Sequence, residues 1–148
     1  MARRSPIPVR FDPEVARRLS SFAASHPGLS LSAAANLLVD EGLRTIEHPG
    51  VVFRDGPTGR RAALAGGPDV WEVMRAIKST RVAEPELSED EVVALVVENS
   101  GVPARMVRTA LSYWASHPSE IDAEIALADD AETAAEMAWR HERDLLSR

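Results

Sequence analysis

Histidines, carboxylates and arginines are the residues of this chain from which chemistry could be built. His26, His48, His117 and His141 lie far apart in the sequence. Three of them precede a proline at an expected helix end, where an imidazole meets the last carbonyls and acts as a cap. None shares a metal-ligand spacing with another, so no metal and no other cofactor is expected. Gly66-Gly67 lacks the lysine and the spacing of a phosphate loop and reads as a helix entry. Asp55, Asp69 and Glu72 form a conceivable carboxylate cluster, but turn chemistry and the helix dipole explain them equally well. No serine sits in a nucleophile elbow. The chain has no cysteine, which excludes disulfides, iron–sulfur clusters, thiolate zinc sites and cysteine nucleophiles. Catalysis is not expected.

The arginines point to nucleic acid instead. Within the first twenty residues Arg3, Arg4, Arg10, Arg17 and Arg18 face only Asp12 and Glu14. A second set, Arg105, Arg108, Thr109 and Ser112, falls on one face of an expected helix that starts at Pro103. Arg10 suits guanine, which arginine geometry contacts through two parallel hydrogen bonds, and the second set suits a recognition helix. Against this second set stands the acidic run Glu89-Asp90-Glu91, which repels a duplex and offers the arginines alternative partners. The net charge of −6 is unevenly spread: residues 86–148 carry 14 acidic and 5 basic side chains, whereas residues 1–48 carry 5 and 6. A basic head suits a polyanion, and an acidic tail suits a cationic protein surface.

Several short elements must position these groups. Ile7, Val9 and Phe11 alternate with Pro6, Pro8 and Arg10, which predicts a short strand with one apolar face. Asp12-Pro13 starts a helix that His26-Pro27-Gly28 stops. Ser30 or Ser32 caps a second helix, with Ala35, Leu38, Val39, Leu43 and Ile46 on its apolar side, ending at His48-Pro49-Gly50. Residues 51–64 read as a hairpin around Asp55-Gly56-Pro57-Thr58-Gly59. Asp69 and Glu72 lie in the first turn of the next helix, followed by a polar loop over residues 79–86. Ser88 and Glu91 make a capping box, with Leu87 and Val92 as a hydrophobic staple. Gly101 ends that helix, and the turn Ser100-Gly101-Val102-Pro103 has helix-turn-helix spacing. Ser119 can cap a last, Ala/Glu/Arg-rich helix whose thin apolar stripe suits an arm that completes its packing on a partner.

One strand and two helices bury too little surface to fold alone, and a lone strand has no pairing partner. Two such strands pairing about a two-fold axis solve both problems. On these grounds residues 6–47 resemble a ribbon-helix-helix domain of the CopG/MetJ/Arc type. Residues 49–127 resemble the family catalogued as domain of unknown function 433. The carriers are Phe53-Arg54-Asp55-Gly56, Gly67-Pro68-Asp69-Val70-Trp71, and Tyr113-Trp114-Ala115 through Glu120-Ile121-Asp122-Ala123. Members of that family occur as antitoxins beside toxins with PIN-like nuclease folds, so the chain resembles a VapB-type antitoxin and transcriptional regulator.

The resemblances imply a mainly α chain in three parts. Residues 1–48 would be a ribbon-helix-helix dimerisation and DNA-binding domain, and residues 49–118 a hairpin plus helix-turn-helix domain. Residues 119–148 would be an acidic helical arm. Operator DNA is then contacted by Arg3 and Arg4 on phosphates, and by Pro8 and Arg10 on the ribbon. The backbone N–H groups of Ser32 and Ala33 would hold a further phosphate, and Arg105, Arg108, Thr109 and Ser112 form the second surface. Pro6 and Pro8 cannot hydrogen-bond to bases, which departs from the usual polar ribbon. Ile121, Ile125, Met137, Trp139, Leu145 and Leu146 are the expected anchors for a cognate PIN-like toxin. The expected assembly is a homodimer or a larger toxin–antitoxin complex, cytoplasmic and without a membrane partner. The alternative is a dimeric interaction module that displays acidic helices and binds no DNA.

Overall fold

The computed structural model describes residues 5–147. Its elements are α1 (Pro13–Ala24), α2 (Leu31–Glu47), β1 (Val51–Gly56), β2 (Gly59–Leu64), α3 (Val70–Ala83), α4 (Glu89–Ser100), α5 (Ala104–Ser116) and α6 (Pro118–Leu146). The chain is therefore mainly helical, with one small antiparallel sheet. Among the described residues no helix is long and apolar enough to cross a membrane. The backbone divides into two units, Met1–Leu43 and Arg44–Arg148. The boundary falls inside α2 rather than at the expected 48/49, because the last turn of α2 is bonded into the second unit from Arg44 onward.

In the first unit, Pro13 opens α1, where its fixed φ suits a first helical position. The His26 ring meets the carbonyl of Phe22 at 2.7 Å, the end-capping role its position before proline suggests. Ser30 is the residue that caps α2: its Oγ accepts from the Ala33 N–H at 3.1 Å. Leu19 and Ala34 are the buried apolar residues described in this unit, too few for a core. Ile7 and Val9 are 84% and 66% exposed, and Val39 and Leu43 are more than half exposed. Residues 5–12 form no strand. The expected strand at Ile7–Phe11 has no neighbour here to take its backbone hydrogen bonds, and a strand without one does not persist.

The second unit has a core. Val51 and Phe53 of β1 stand opposite Leu64 and Ala62 of β2, which puts the four side chains on one face of the hairpin. That face packs with Val70, Val73 and Met74 of α3, Val93 and Val96 of α4, Val107, Ala110 and Tyr113 of α5, and Ile121 of α6. Burial of these aliphatic groups, at roughly 25 cal/mol per Å² of apolar surface, is the main stabilising term. The turn of the hairpin is tighter than the sequence implies, since pairing continues to Gly56 and Gly59. A Cβ at Gly56 would meet the Arg61 guanidinium at 2.3 Å, so a larger residue there requires that side chain to move aside.

The helix starts follow from local chemistry. Glu72 returns its carboxylate to the Asp69 N–H at 2.9 Å, so Asp69 precedes α3 rather than lying within it. Ser88 and Glu91 bond reciprocally at 3.3 and 2.7 Å and begin α4. α3 runs on to Ala83, which shortens the expected polar loop to residues 84–88. α6 begins at Pro118 with His117 at its N-cap, so Ser119 lies in the first turn and is not the cap. α3, α4 and α5 pack on one another, and α6 lies on α3 and α5.

Gly101 closes α4 in the left-handed region, φ +73°, and its N–H bonds the Val97 carbonyl. A Cβ there would meet nothing within 4 Å, so a substitution suffers only the backbone penalty. Gly101→Ala is expected to lower unfolding stability by about 1–2 kcal/mol in urea denaturation at an unchanged m-value. Gly101→Asn, which tolerates this region better, is expected to lose less.

Candidate nucleic-acid interface

The two candidate reading surfaces fare differently. Arg3 and Arg4 lie outside the described residues. Pro6, Pro8 and Arg10 are exposed and belong to no regular element. Ser32 and Ala33 are exposed at the start of α2, but the Ala33 N–H already serves the Ser30 hydroxyl. A phosphate at Ala33 would therefore have to displace the helix's own cap, a competition that the sequence reading missed.

Arg105, Arg108, Thr109 and Ser112, by contrast, come together. With Glu47, His48 and Pro49 they line an open cleft of about 270 Å³. Their spacing of three, four and seven residues puts them on one face of α5, opposite the buried Val107 and Ala110. The last turn of α2 and the bend into β1 supply the other wall. Thr109 closes a helical turn by donating to the Arg105 carbonyl at 2.9 Å. Arg108 is drawn toward α4, where Nη2 lies 2.7 Å from Asp90 Oδ1. Arg105 has no ion pair among the described residues. The cleft thus holds an unpaired guanidinium, a lightly held one, an imidazole and the Ser112 hydroxyl as donors suited to phosphate oxygens and base edges, with the Thr109 hydroxyl left to accept and the Glu47 carboxylate opposite.

A polar network around the buried Tyr113, reaching the half-buried Arg44 and the more exposed Glu120, fixes this wall, and no spacing in the sequence announces it. Arg44 Nη1 donates to the Tyr113 hydroxyl at 2.8 Å and to the two Glu120 oxygens at 3.0 and 3.1 Å. The Tyr113 hydroxyl donates in turn to Glu120 at 2.7 Å. Burial and the neighbouring Glu120 carboxylate push the Tyr113 phenol above the usual tyrosine range. Burial works against the Arg44 charge, yet Tyr113 and Glu120 hold its pKa above the ordinary arginine value. His48 and His117, distant in sequence, flank Tyr113 with ring centroids 5.2 and 4.7 Å away and lie 5.8 Å from each other. Among the described residues no group of three His, Asp or Glu side chains could hold a metal ion.

The three carboxylates Asp55, Asp69 and Glu72 serve turn, capping and ion-pair purposes. Asp55 pairs with Arg60 at the hairpin turn, and Glu72 caps α3. Asp69 is 7% exposed, lies 2.8 Å from Arg61 Nε and accepts from Trp71 Nε1 at 3.2 Å. The carboxylate that does stand in a costly place is Glu124 of α6, which the sequence reading passed over. Its Oε2 is buried without a hydrogen-bond partner. Burial, together with the negative charges of Glu120 and Asp69, pushes its carboxyl up to about 7, against the opposing pull of Arg61.

The arm residues divide into two groups. Ile121 is wholly buried and so not available to a partner, because α3 and α5 cover the first turns of α6. Ile125 is half-buried: it packs against the same core and also lines an open groove with Arg75, Lys78 and Val82. Met137 and Trp139 are 54% and 56% exposed, and Leu145 and Leu146 about three-quarters exposed. Arg75 fastens the middle of α6 through Asp129 at 2.9 Å and Glu132 at 2.5 Å. The free arm is thus shorter than the expected residues 119–148 and lies beyond Glu132.

The chain matches no protein-family model, no curated protein and no solved structure.

Two outcomes test the network. Tyr113→Phe, which leaves Arg44 and Glu120 without their bridging hydroxyl, is expected to cost about 1–3 kcal/mol in denaturant unfolding. A raised carboxyl pKa means that the folded state binds the Glu124 proton more tightly than the unfolded state. The associated stability is complete below about pH 4.5 and disappears as pH rises through about 7. Glu124→Gln is therefore expected to match the parent at pH 4 and to exceed it by about 1 kcal/mol at pH 8. Melting curves across that interval check it, and an equal offset at both pH values would contradict the assignment.

Proposed function

We propose that this chain is a dimeric, operator-binding regulator of the antitoxin kind, whose α5 cleft contacts DNA and whose distal arm binds a cognate PIN-like toxin. The observation that carries the DNA half is the gathering of Arg105, Arg108, Thr109 and Ser112 on one face, beside His48 in one cleft. The helix pair α4–α5 with its Gly101 turn suits a helix-turn-helix, in which the second helix enters the major groove. Arginine forks supply base contact, and hydroxyls and N–H groups supply phosphate contact.

Dimerisation through the first unit is supported by its uncovered apolar surface. Phe11, Val15, Leu19, Phe22, Leu38 and Val39 line an open groove of about 430 Å³, and Ile7 and Val9 stand exposed just before it. A second copy pairing its own segment 6–11 with this one would form the ribbon and cover that groove. Arg10 would then lie on the ribbon's solvent face as a further DNA contact. The toxin half is supported by the exposed Met137, Trp139, Leu145 and Leu146; the acidic charge of α6 lies mostly before them, since residues 133–148 carry three acidic side chains against three arginines. A second reading, a dimeric interaction module without DNA, is favoured by the acidic Glu47 and Asp90 beside the cleft and by Pro6 and Pro8.

A mobility-shift titration of the full chain on its own upstream promoter DNA, with a scrambled duplex as control, separates the two. Promoter-selective binding that weakens steeply with salt is expected, with Arg105→Ala costing about 1–3 kcal/mol. Loss in Arg10→Ala alone would move the reading head to the ribbon. Absence of selective binding would leave the interaction module.

A further inference from the structure

We propose that Asp90 is a built-in stand-in for a DNA phosphate at Arg108, so that nucleic acid enters the α5 cleft by exchanging one ion pair for another. The inference rests on the reading of α5 as a DNA-contacting helix. Asp90 lies in the first turn of α4, eighteen positions before Arg108, and the two side chains meet at 2.7 Å. The pair is open to water, with the arginine side chain 57% and the aspartate side chain 87% exposed. An ion pair in that setting is weak and readily exchanged. It still holds a long, flexible guanidinium in one place at the edge of the cleft, so less freedom is lost when a phosphate takes over.

The neighbouring charges make Asp90 the group that exchanges. Glu91 is committed to the Ser88 N–H at 2.7 Å, and capping Ser88 lowers its pKa. Glu47 lines the opposite wall of the cleft, and no ion pair between it and Arg108 is present. Arg105, one turn earlier on the same face, stays unpaired and serves as the first anchor. When a phosphate replaces Asp90, the freed carboxylate stands beside a polyanion and draws a cation from solution. That uptake offsets one of the counterions released from DNA. Asp90 therefore weakens binding to every duplex alike and makes it less salt-dependent. The ratio of operator to non-specific affinity is unchanged by such a uniform penalty, but only an operator offering base contacts to Arg105, Thr109 and Ser112 keeps enough affinity to stay bound.

The test is a double-mutant cycle on the full chain: Asp90→Asn, Arg108→Ala and both together. Each is titrated on promoter and scrambled duplexes at several salt concentrations, and each is eluted from immobilised heparin. Glu98→Gln, the same charge change at the other end of α4, serves as control. Asp90→Asn is expected to tighten both duplexes about two- to fivefold. It is also expected to steepen the logarithmic salt slope by about one and to elute later from heparin. These gains are expected to vanish in the Arg108→Ala background and to be absent in Glu98→Gln. Gains that persist without Arg108, or equal gains in Glu98→Gln, would reduce the effect to overall charge and overturn the exchange. If no variant shifts either duplex, the DNA reading falls, and the heparin arm of the cycle decides the Arg108–Asp90 exchange by itself.

Discussion

Tyr113 is the largest side chain wholly removed from solvent, and its hydroxyl lies between Arg44 and Glu120. A buried phenol without partners is costly, and a partly buried guanidinium or carboxylate without partners is costlier. Each of the three groups is tolerated because the other two are present, so they act as a unit. Arg44 brings the last turn of α2, Tyr113 brings α5, and Glu120 brings the first turn of α6. Three elements far apart in the chain are thereby held at one point. The apolar core supplies most of the stabilising free energy but is indifferent to small rotations of a helix; the polar triad is directional. It fixes the rotation of α5, and with it the face that presents Arg105, Arg108, Thr109 and Ser112.

The same helix α6 does two different things along its length. Its first turns are core: Ile121 is buried, Asp122 bonds Trp114 and Lys78, and Glu124 stands without a hydrogen-bond partner for its buried oxygen. Beyond Glu132 the helix is exposed on all sides, held by internal pairs such as Glu136–Arg140. Such pairs contribute a few tenths of a kcal/mol each. A helix rooted so firmly and left bare so far is well suited to offer apolar anchors without moving its base. The strained carboxylate at the root is unfavourable for folding near neutral pH, and its position among Asp69, Glu120 and Arg61 links it to the same polar layer.

Much of the fold was legible because local rules decide it. Pro13, the Ser88–Glu91 box and Gly101 mark helix ends through chemistry confined to a few residues, and each stands where that chemistry requires; Asp12 occupies the N-cap position of α1 but makes no side-chain cap bond. The hairpin followed from its Gly/Pro turn and the alternation of Val51 and Phe53. The α5 face was legible for the same reason: positions 105, 108, 109 and 112 share a side at helical periodicity, whatever surrounds them. Less was legible where two signals competed. Ser119 resembles a cap, but Pro118 already occupies the first helical position. Ile121 and Ile125 look like the start of an exposed stripe only if nothing covers the helix. The strand at residues 7–11 shows how a pattern can state a preference that one chain has no means to satisfy.

Periodicity, capping and turn residues therefore determined where helices and strands begin and which face of each is apolar, because those preferences act over a single turn of chain. Tertiary structure alone decided which polar groups meet. Nothing in the spacing relates Arg44 to Tyr113, His48 to His117 or Glu124 to Asp69, and among the acids that open α4 it is the packing that selects Asp90 for Arg108. Their pairing depends on how packed elements cross, and desolvation at those crossings sets how strongly each charge is felt. The surface residues could thus be chosen from the sequence, with the acidic run at 89–91 as candidate partners for the arginines, whereas the groups that meet at the Tyr113 crossing could not.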